Sequence, residues 1–299
     1  MNILSLFDGM SCGQIALNKL GIKYDNYYAS EIDKYAIQVT QHNFPNTIQL
    51  GSIIDVDTSE LPKIDMLIGG SPCQSFTFAG KRVGMTTKDS VDILSLEQYL
   101  SLKEDGFEFE GESYLFWEFM RILKEVKPKY FLLENVKMEK KWKAILSEVI
   151  GIEPILINSN QFSPQNRQRL YWTNIIIDKN YQRNDQHLED IIFNEVDKKY
   201  NLSAIHHKAF LKSYNWKYNP ITEKSKPLLA TYYKQPPHCP YIISESSDSG
   251  FRRLNPIECE RLQTVPDNYT EGVSDTQRYR MLGNGWTVDV IAYIFSHIK

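Results

Sequence analysis

A single cysteine follows an apolar, strand-like run in the first third of the chain. Cys73 belongs to the tetrapeptide Ser71-Pro72-Cys73-Gln74, which comes directly after residues 66–70. In an open parallel sheet the functional crevice lies beyond the carboxyl ends of the strands, and Pro72 stiffens the turn that carries the sulfur. The position therefore predicts a nucleophilic thiol, whereas an arbitrary intracellular cysteine is more often a small buried apolar residue.

Two later segments add a carboxylate and a pair of guanidinium groups. The strand-like run 130–136 contains Glu134, and the segment 165–172 contains Arg167 and Arg169. A carboxyl group can exchange a proton with a bound ring, and a guanidinium can hold an anionic oxygen or a phosphate. Considered singly, Glu134 also fits a strand-end ion pair, and the two arginines fit phosphate contacts. Together with the cysteine, these residues bring three kinds of chemistry to predicted strand ends.

A glycine-containing turn joins the first predicted strand to the first predicted helix. The turn begins with Phe7-Asp8-Gly9 and reaches Gly13, and glycines let a ligand approach the backbone closely. Glu31 stands at the end of the next predicted strand, where a carboxylate can accept hydrogen bonds from both hydroxyls of a ribose. The spacing differs from the dinucleotide fingerprint. We therefore predict a nucleoside-binding crevice, with a tight turn beside an ordinary surface glutamate as the alternative.

Strand-like and helix-like patterns alternate through the first 180 residues, which predicts a doubly wound α/β fold. The predicted strands are 2–7, 24–30, 66–68, 130–133 and 170–177. The predicted helices are 13–20, 114–126, 140–149, 255–263 and one that contains 288–295. Beyond residue 180 the sequence becomes polar, tyrosine-rich and proline-containing. We therefore predict a catalytic and cofactor-binding domain over 1–180 plus 252–299 and a smaller domain over 181–251.

The formal net charge of −3 conceals an uneven distribution of charge. Residues 201–240 hold six lysines against one acid, interleaved with tyrosines and a tryptophan, which favours contact with nucleic acid over a merely solvated surface. Residues 86–112 hold eight acids against two lysines. We interpret this acidic segment as a solvated excursion on the far side of the molecule. The alternative is a position against DNA, where the segment would repel phosphate.

Composition also narrows the class of protein. The four cysteines, at positions 12, 73, 239 and 259, show no paired metal-ligand spacing and imply no disulfide framework, so we expect a reducing intracellular compartment and no metal. No apolar stretch approaches the roughly 20 residues that a membrane span needs, and no secretory leader precedes the first strand. We expect a soluble protein of the cytoplasm that does not contact membranes.

Six segments, taken in order along the chain, resemble the motifs of the DNA (cytosine-5) methyltransferases. They are Phe7-Asp8-Gly9, Pro72-Cys73, Glu134-Asn135-Val136, Gln165-Asn166-Arg167-Gln168-Arg169, residues 253–263 and Gly283-Asn284-Gly285. The resemblance covers nearly the whole chain, and the common order of the motifs carries it. It implies a Rossmann-like domain that depends on S-adenosylmethionine, with a second, smaller target-recognition domain.

The resemblance also implies how S-adenosylmethionine is bound, and hence its product S-adenosylhomocysteine. In the family the cofactor stacks on the phenylalanine of the first motif, and its ribose meets the acid after the second strand. Its adenine meets the segment after the third strand, and its methionine part meets the C-terminal asparagine loop. Carried over to this sequence, the predicted cofactor-binding residues are Phe7, Asp8, Gly9, Gly13, Glu31, Ile32, Ser52, Ile53, Ser71, Asn284 and Trp286.

Three positions depart from the common pattern of the family. Ser52 stands where many relatives have an aspartate that binds the adenine amino group, so we expect a weaker contact there, with Asp55 or Asp57 as alternatives. Ser71 stands where most bacterial relatives have proline, and Trp286 follows the last motif. Both are similar to the eukaryotic de novo methyltransferases. The abundance of Asn, Lys, Ile and Tyr nevertheless favours an AT-rich bacterium or its phage.

The reaction of the family explains why these residue types are needed. Carbon 5 of cytosine is a poor nucleophile until a thiolate adds to carbon 6, so Cys73 is expected to form a covalent adduct. Glu134 is expected to donate a proton to N3 and to accept from the exocyclic amine. Arg169 is expected to hold O2, and Arg167 to assist there or to bind phosphate. No residue is assigned as the base that removes the carbon 5 proton.

A base stacked in a duplex must rotate out before a buried thiol can reach it, so the resemblance implies base flipping. The loop 74–85 is predicted to close over the flipped base. Residues 227–234 resemble the threonine-centred recognition loop of relatives, with side chains suited to base edges, sugar and phosphate. The predicted DNA-binding residues are Gln74, Lys81, Arg82, Gln165, Thr231, Tyr232 and Lys234, with Gln165 also supporting its own loop.

Two other classes of protein remain open. One branch of the family methylates RNA with the same catalytic set, although the long recognition segment favours DNA. A catalytically silent DNA-binding relative is disfavoured because Cys73, Glu134 and Arg169 are all present. The expected partner is double-stranded DNA in a bacterium or a phage-infected host cell, with a cognate restriction endonuclease as a second candidate. We expect the protein to be a monomer.

Overall fold

A seven-stranded, mostly parallel sheet forms the centre of the protein in the computed structural model, which describes residues 1–72, 85–181, 184–213 and 217–299. The strands are β1 (Asn2–Leu6), β2 (Asn26–Ser30), β3 (Ile48–Gln49), β4 (Met66–Gly70), β5 (Tyr130–Val136), β6 (Ile155–Asn158) and β7 (Gln168–Thr173). Their spatial order is β3-β2-β1-β4-β5-β7-β6, and only β7 runs antiparallel to its neighbours.

Helices cover both faces of this sheet. They are α1 (Cys12–Lys19), α2 (Lys34–Asn43), α3 (Leu96–Glu104), α4 (Phe116–Val126), α5 (Lys140–Ile150), α6 (Ala204–Leu211), α7 (Pro256–Leu262), α8 (Asp275–Asn284) and α9 (Val288–Phe295). A two-stranded antiparallel sheet, β8 (Tyr241–Ile243) with β9 (Phe251–Arg253), lies in the C-terminal half. The predicted doubly wound α/β fold is confirmed. Within the described ranges, no helix is long and apolar enough to cross a membrane.

Alternating side chains of the central strands divide the core into two clusters. Ile3 and Leu132 belong to the cluster packed by α1, α7, α8 and α9, whereas Leu4 and Leu133 belong to the cluster packed by α3, α4 and α5. All four side chains are fully buried. Strands buried on both faces appear in sequence as continuous apolar runs, which is why β1, β4 and β5 were recognisable.

The order of strands reverses between β1 and β4. The chain proceeds from β1 outwards through β2 to β3, and then returns to β4 on the other side of β1. Leu6, at the end of β1, pairs with both Ser30 and Gly69. Ligands of open α/β sheets bind at the carboxyl ends of the strands where the order reverses, so this edge is the expected position of the site.

The predicted strand 170–177 differs from the observed β7, which ends at Thr173. The side chain of Asn174 explains the end of the strand. Its Oδ1 accepts from the amide of Phe131 at 2.9 Å, and its Nδ2 donates to the carbonyl of Lys129 at 2.9 Å. The side-chain amide thus replaces the backbone partners that a longer strand would have supplied.

The predicted smaller domain contains α6, β8 and the first residue of β9. Its buried side chains, including Leu188, Tyr232 and Tyr241, are continuous with the cluster around α7 to α9. The predicted boundary at residue 252 falls within β9, whose pairing with β8 joins the two segments. The division into two domains stays a prediction.

The acidic segment 86–112 is anchored, and its interpretation as a simple solvated excursion is wrong for its central part. Ile93, Leu96 and Tyr99 are buried against the second cluster. The fully buried carboxylate of Glu118 on α4 accepts from Tyr99 Oη at 2.5 Å, from Lys103 Nζ at 2.6 Å and from Arg121 Nε at 2.7 Å. Burial opposes ionisation of Glu118, but these contacts outweigh it and keep the pKa of Glu118 below its ordinary value.

Replacing Glu118 with alanine should therefore destabilise the protein by about 3 kcal/mol or more, because it leaves buried donors and cations without their acceptor. Glu125→Ala is the matched control, since Glu125 pairs with the same Arg121 but is 39% exposed. An exposed pair of this kind contributes less than about 1 kcal/mol. Urea unfolding of the wild type and both variants measures the difference. Equal losses for the two variants would show that Glu118 does not anchor the segment.

Candidate active site

The turn after β1 is held in a strained conformation at the sheet edge. Phe7 and Ser11 both have left-handed backbone angles, with φ of 57° and 63°, and Gly9 has φ of 58°. Left-handed φ costs about 1 kcal/mol or more for a residue with a side chain. Two hydrogen bonds hold the turn, from the amide of Asp8 to the carbonyl of Ser30 at 3.1 Å and from the amide of Gly9 to Glu31 at 2.8 Å.

Glu31 presents a carboxylate that the backbone fixes in place. Oε2 accepts from the amide of Gly9, and Oε1 accepts from the amides of Ile32 and Asp33, each at 2.8 Å. An ionised carboxylate has about four acceptor positions, so the three amides leave one for a ligand hydroxyl. The neighbouring Ile32 side chain is 74% exposed. A fixed acceptor beside an exposed apolar side chain suits a nucleoside.

Asp8 carries a buried oxygen that lacks a hydrogen-bond partner among the described residues. Its Oδ1 accepts from Tyr27 Oη at 2.8 Å, whereas no donor within those residues reaches Oδ2. Burial raises the pKa of Asp8 to about 6, and the charge of Glu31 adds to that effect. Hydroxyls of Ser5, Ser11 and Tyr27 oppose the rise. An acceptor left unsatisfied at the expected ligand edge fits a ligand that brings a donor.

Neither Gly13 nor Gly70 has a positive φ, so backbone conformation does not explain why these positions are glycine. Close packing does explain it. A Cβ atom added to Gly13 would lie 2.5 Å from Ile68 Cδ1, so the glycine lets α1 pack directly on the sheet. A Cβ atom added to Gly70 would lie 2.9 Å from Trp286 Nε1 and 3.1 Å from Glu134 Oε2. The backbone of β4 thus passes close beneath the catalytic carboxylate predicted from the sequence.

Glu134 and Arg169 lie in contact at the ends of their strands, in the kind of ion pair that the sequence left open as the alternative for Glu134. Arg169 Nε lies 2.9 Å from Glu134 Oε1, and both side chains are mostly buried, with 18% and 11% exposure. Trp286 Nε1 donates to the other carboxylate oxygen at 3.2 Å. The ion pair joins β7 to β5, whereas the tryptophan comes from the loop before α9. Sequence reasoning placed Trp286 in the cofactor site but did not foresee its contact with Glu134.

Asn135 was quoted within a motif but was given no role, and the structure supplies one. Its Nδ2 donates to Ser71 Oγ at 3.0 Å and to the Ser71 carbonyl at 3.3 Å, while its Oδ1 accepts from the amide of Val136 at 2.8 Å. Ser71 is buried. The residue that precedes Pro72 is therefore tied to β5. A side-chain amide directly after the predicted catalytic acid was the signal that the sequence offered.

The predicted nucleophile and three of the predicted DNA contacts lie outside the described residues. These are Cys73, Gln74, Lys81 and Arg82, together with the rest of the predicted closing loop up to residue 84. The other three cysteines of the chain, Cys12, Cys239 and Cys259, are buried. Burial raises the pKa of Cys12 and Cys239 to about 12, and it also raises the pKa of Cys259 well above its ordinary value. These three thiols are therefore unsuited to act as nucleophiles.

The prediction that Arg167 assists at the cytosine or binds phosphate needs correction. Arg167 is 5% exposed and points into the protein. Its Nη1 donates to the carbonyl of Leu228 at 2.8 Å, and its Nη2 donates to the carbonyls of Gly283 and Gly285 at 2.9 and 3.0 Å. A guanidinium engaged in this way cannot also reach an external phosphate. Arg169, two residues later in the same motif, instead pairs with Glu134.

Two of the predicted DNA contacts are also wrong because the side chains are fully buried. Gln165 Oε1 accepts from the amide of Leu228 at 2.7 Å, which agrees with its predicted support of the loop. Tyr232 accepts from the amide of Leu254 at 2.8 Å and also donates to the carbonyl of Pro240. By contrast, Thr231 and Lys234 are exposed and stay predicted DNA contacts.

The rest of the predicted cofactor set divides between surface and core. Asn284 is exposed at the end of α8, and Phe7 and Trp286 are half-buried. Ile53 is 4% exposed and packs in the second cluster. Ser52 caps the following short helix by accepting from the amide of Ile54 at 3.3 Å. Its hydroxyl is therefore already engaged, and its contact with adenine stays a prediction.

Basic side chains surround a cavity of about 740 Å³ beside the Gln-x-Arg-x-Arg segment. Lys217, Lys224 and Lys226 line it together with Asn166. The cavity also contains the acid Glu223 on its wall. Half of the lysines that were predicted to contact nucleic acid are thus gathered in one place next to the catalytic domain.

Comparisons with known proteins show which sequences and which fold this chain is similar to. The sequence profile described as C-5 cytosine-specific DNA methylase matches residues 1–225 and 173–299. The type II methyltransferase M1.ScrFI of Lactococcus lactis subsp. cremoris is 29% identical over 97% of this chain and 75% of its own length. The orphan methyltransferase M.SPRI of Bacillus phage SPR is 30% identical over 89% of this chain and 57% of its own length. The structure of the S. pombe Dnmt2 methyltransferase shares the fold, with a TM-score of 0.71 at 19% identity over 99% of this chain and 97% of that one.

The unsatisfied carboxylate of Asp8 predicts an unusual dependence of stability on pH. The folded pKa of Asp8, about 6, lies above the ordinary value of 3.8. The contribution of Asp8 to the stability of the protein is therefore fully present at low pH and is lost as the pH rises through 6. Asp8→Asn cannot ionise and should therefore be more stable than the wild type near pH 8, by at most about 3 kcal/mol, with little difference below about pH 4. Chemical unfolding at several pH values measures this difference.

Asp57→Asn provides the control for the Asp8 experiment. Hydrogen bonds from Ser59 lower the pKa of the exposed Asp57, so this substitution should gain nothing between pH 4 and pH 8. A constant difference between Asp8→Asn and the wild type across that range would contradict the assignment of a raised pKa to Asp8.

Proposed function

The chain belongs to the C-5 cytosine-specific DNA methylase family, and on that premise we propose that Cys73 forms a covalent adduct with a cytosine flipped out of a short duplex DNA sequence. The protein is a DNA cytosine-5 methyltransferase that uses S-adenosylmethionine. The observation that carries the covalent route is the contact of Glu134 with Arg169. Glu134 pairs across the sheet with Gly70, which directly precedes Ser71. An acid and a cation are thereby held beside the segment that continues to the thiol.

The crevice at the end of β1 suits the methyl donor. Glu31 retains an acceptor position for a ribose hydroxyl, and Asp8 Oδ2 offers a buried acceptor to a donor group of the ligand. Phe7 and Ile32 supply apolar surface for stacking, and Asn284 is exposed for a polar contact. When bound, S-adenosylmethionine supplies an electrophilic methyl group to carbon 5. The remaining members of the predicted set, including Ser52 and Gly13, belong to the same proposed site.

The proposed reaction begins when the Cys73 thiolate forms a bond to carbon 6 and breaks the aromaticity of the ring. Electron density moves to carbon 5, which would then take the methyl group from bound S-adenosylmethionine, with the bond between methyl and sulfur broken and S-adenosylhomocysteine as the leaving group. A base removes the proton from carbon 5, the bond to sulfur breaks, and the electron pair restores the ring. This sequence replaces one difficult substitution with two easier steps.

Glu134 and Arg169 stabilise the charge that develops on the ring in this proposal. Glu134 accepts from Arg169 on one oxygen and from Trp286 on the other, and each oxygen keeps a further acceptor position. When the carboxyl group carries a proton, one oxygen can donate it to N3 while the other accepts from the exocyclic amine, which selects cytosine over thymine. Arg169 uses Nε for Glu134 and Nη1 for the carbonyl of Gln168. Its remaining N–H groups are the candidates for O2.

The thiolate of Cys73 must form before it can attack. From an unperturbed pKa near 8.5, ionisation at neutral pH costs about 2 kcal/mol. A nearby guanidinium lowers that cost by stabilising the anion, and Arg169 is the cation that the crevice offers. The three described cysteines lie in the core, where burial has the opposite effect. Cys73 is therefore assigned as the nucleophile by its segment and by elimination.

Sequence recognition is assigned to the smaller domain over 181–251. Thr231 and Lys234 are exposed on its recognition loop, and three lysines line the adjacent cavity. A threonine side chain can contact a base edge, whereas lysines contact phosphates without reading sequence. Gln74, Lys81 and Arg82 complete the proposed DNA contacts. We further propose that the enzyme acts as a monomer on DNA in the cytoplasm of a bacterium or phage-infected cell.

A partner endonuclease is proposed on the names of the relatives alone. One relative is described as a type II methyltransferase, and another, from a phage, is described as an orphan methyltransferase. The first description favours a restriction partner, and the second favours an enzyme that works without one. Both kinds of enzyme require the same chemistry at cytosine.

Expression in a bacterial host that lacks DNA methylation tests the proposed specificity. We expect 5-methylcytosine at one short recurrent motif when the plasmid is mapped at base resolution. Scattered methylation would contradict sequence recognition by the smaller domain. Absence of methylation from a protein that binds S-adenosylhomocysteine would contradict the DNA substrate, and incubation of the same protein with host RNA would then test the RNA class.

Cys73→Ser should abolish methyl transfer, because a serine hydroxyl does not ionise near neutral pH, while binding of duplex DNA and S-adenosylhomocysteine persists. A duplex that contains 5-fluorocytosine should trap the covalent adduct of the wild type, which denaturing electrophoresis detects. Cys73→Ser should form no covalent adduct in the same experiment. Cys259→Ala is the control, since Cys259 is buried far from the motif in sequence and its loss removes only a core contact. A serine variant that still methylates DNA would rule out the covalent route.

A further inference from the structure

The recognition segment, residues 227–234, is in direct backbone contact with the last residues of α8 and its C-cap, Gly283–Gly285, here named the Gly283–Gly285 loop. A Cβ atom added to Gly283 would fall 2.2 Å from the carbonyl carbon of Leu229 and 2.2 Å from the amide nitrogen of Ala230. These distances leave no room for any side chain. The start of the loop that carries Thr231 thus rests on the loop that carries Asn284. Under the proposed function, the first loop contacts the target and the second contacts the methyl donor.

Two buried side chains tie these loops together. The amide of Leu228 donates to Gln165 Oε1 at 2.7 Å, and its carbonyl accepts from Arg167 Nη1 at 2.8 Å. The other terminal nitrogen of Arg167 donates to the carbonyls of Gly283 and Gly285, which flank Asn284. One rigid guanidinium therefore spans from the recognition segment to both sides of the methyl-donor loop.

A second connection runs through Gln263. Gln165 Nε2 donates to Gln263 Oε1 at 3.2 Å and to the carbonyl of Leu262 at 3.2 Å. Gln263 Nε2 then donates to the carbonyls of Leu282 and Gly285, at 2.7 and 3.2 Å. Both glutamines are fully buried. The recognition segment is thus linked to the Gly283–Gly285 loop by two routes made of buried hydrogen bonds.

We propose that Arg167 and Gln165 are positioning residues that couple recognition of the target sequence to binding of the methyl donor. The inference rests on the proposed function, which assigns target contact to residues 227–234 and methyl-donor contact to the Asn284 loop. A shift of Leu228 moves an acceptor of Arg167, and Arg167 cannot follow it without disturbing the bonds to Gly283 and Gly285. Broken bonds in a buried network are costly, so the two loops favour matched arrangements.

The chemistry of the bridge explains why an arginine occupies it. Three carbonyls in different directions require a planar group with several fixed N–H donors, which a guanidinium has. An ammonium is a compact group on a flexible stem and cannot span the same three positions at once.

The coupling between two ligands must also be reciprocal. The methyl donor should therefore strengthen binding of the correct duplex by the same factor by which the duplex strengthens binding of the methyl donor.

The test measures the affinity for S-adenosylhomocysteine by calorimetry, with and without the duplex motif found by methylation mapping. In the wild type we expect the cognate duplex to raise this affinity at least about fivefold, and a duplex with a scrambled motif to raise it less. In Arg167→Lys the enhancement should fall below about twofold. The reciprocal experiment, duplex affinity with and without S-adenosylhomocysteine, should give the same factors.

Arg252→Lys is the matched control. Arg252 is also a buried arginine, 3% exposed, and it binds both oxygens of Glu258, but it donates to neither of the two loops. This variant should lose stability and yet keep the wild-type coupling factor. Equal coupling in the wild type and Arg167→Lys, or equal loss in the two variants, would overturn the proposal. Failure of the wild type to bind S-adenosylhomocysteine or duplex would instead refute the proposed function.

Hydrogen exchange in the wild-type protein tests the same proposal without any substitution. S-adenosylhomocysteine alone should slow exchange of the Leu228 amide, whose acceptor is Gln165, at least about threefold relative to free protein. Residues of α3, which pack on the other face of the sheet, should be unaffected. Unchanged exchange at Leu228 under saturating ligand would overturn the coupling even if Arg167→Lys failed to fold.

Discussion

The hydrogen-bond register among β4, β5 and β7 determines where the proposed catalytic groups Glu134 and Arg169 meet. Gly70 pairs with Glu134, and Val136 pairs with Arg169 on the antiparallel strand, so the carboxylate and the guanidinium meet near the end of β5. Side chains alternate along a strand, and a slip of one residue would turn Glu134 to the opposite face of the sheet. The missing Cβ atom at Gly70 keeps space for Glu134 and Trp286 above β4.

A buried polar network joins the parts of the chain that the register alone does not hold. Gln263 lies 98 residues beyond Gln165 in the sequence, yet the two side chains are hydrogen-bonded to each other. Gln165 accepts from the amide of Leu228, Arg167 donates to the carbonyl of Leu228, and Gln263 donates to the carbonyl of Gly285. Buried polar groups of this kind contribute little net stability but are costly when a partner is removed. Such a network therefore specifies one arrangement of the loops more strongly than apolar packing would. Two loops held in a single arrangement are the precondition for acting as one site.

The sequence was sufficient to predict the elements that are buried on both sides. Continuous apolar runs marked β1, β4 and β5, and the strand ends then located Glu31, Glu134 and Arg169 at one edge. Helix α2 was not predicted because its sequence is polar, and the structure shows that the side chain of Asp33 caps its first turn. Capping and tertiary packing stabilise this helix, although its sequence lacks a clear hydrophobic periodicity.

The roles of Arg167 and Tyr232 could not be read from residue type. An arginine in a catalytic motif and a tyrosine in a basic loop both suit contact with nucleic acid, and their buried partners here are backbone carbonyls and amides. Every residue has such groups, so no sequence pattern reveals which of them a side chain will meet.

The end of β1 combines two kinds of departure from local stability rules. Phe7 and Ser11 have left-handed backbone angles, and Asp8 keeps an oxygen without a donor among the described residues. Strain and unsatisfied groups persist where the surrounding core holds them in place, and here that core lies directly beneath the ligand edge. A bound ligand that donates to Asp8 would recover part of that cost, so methyl-donor binding and local order at β1 reinforce each other.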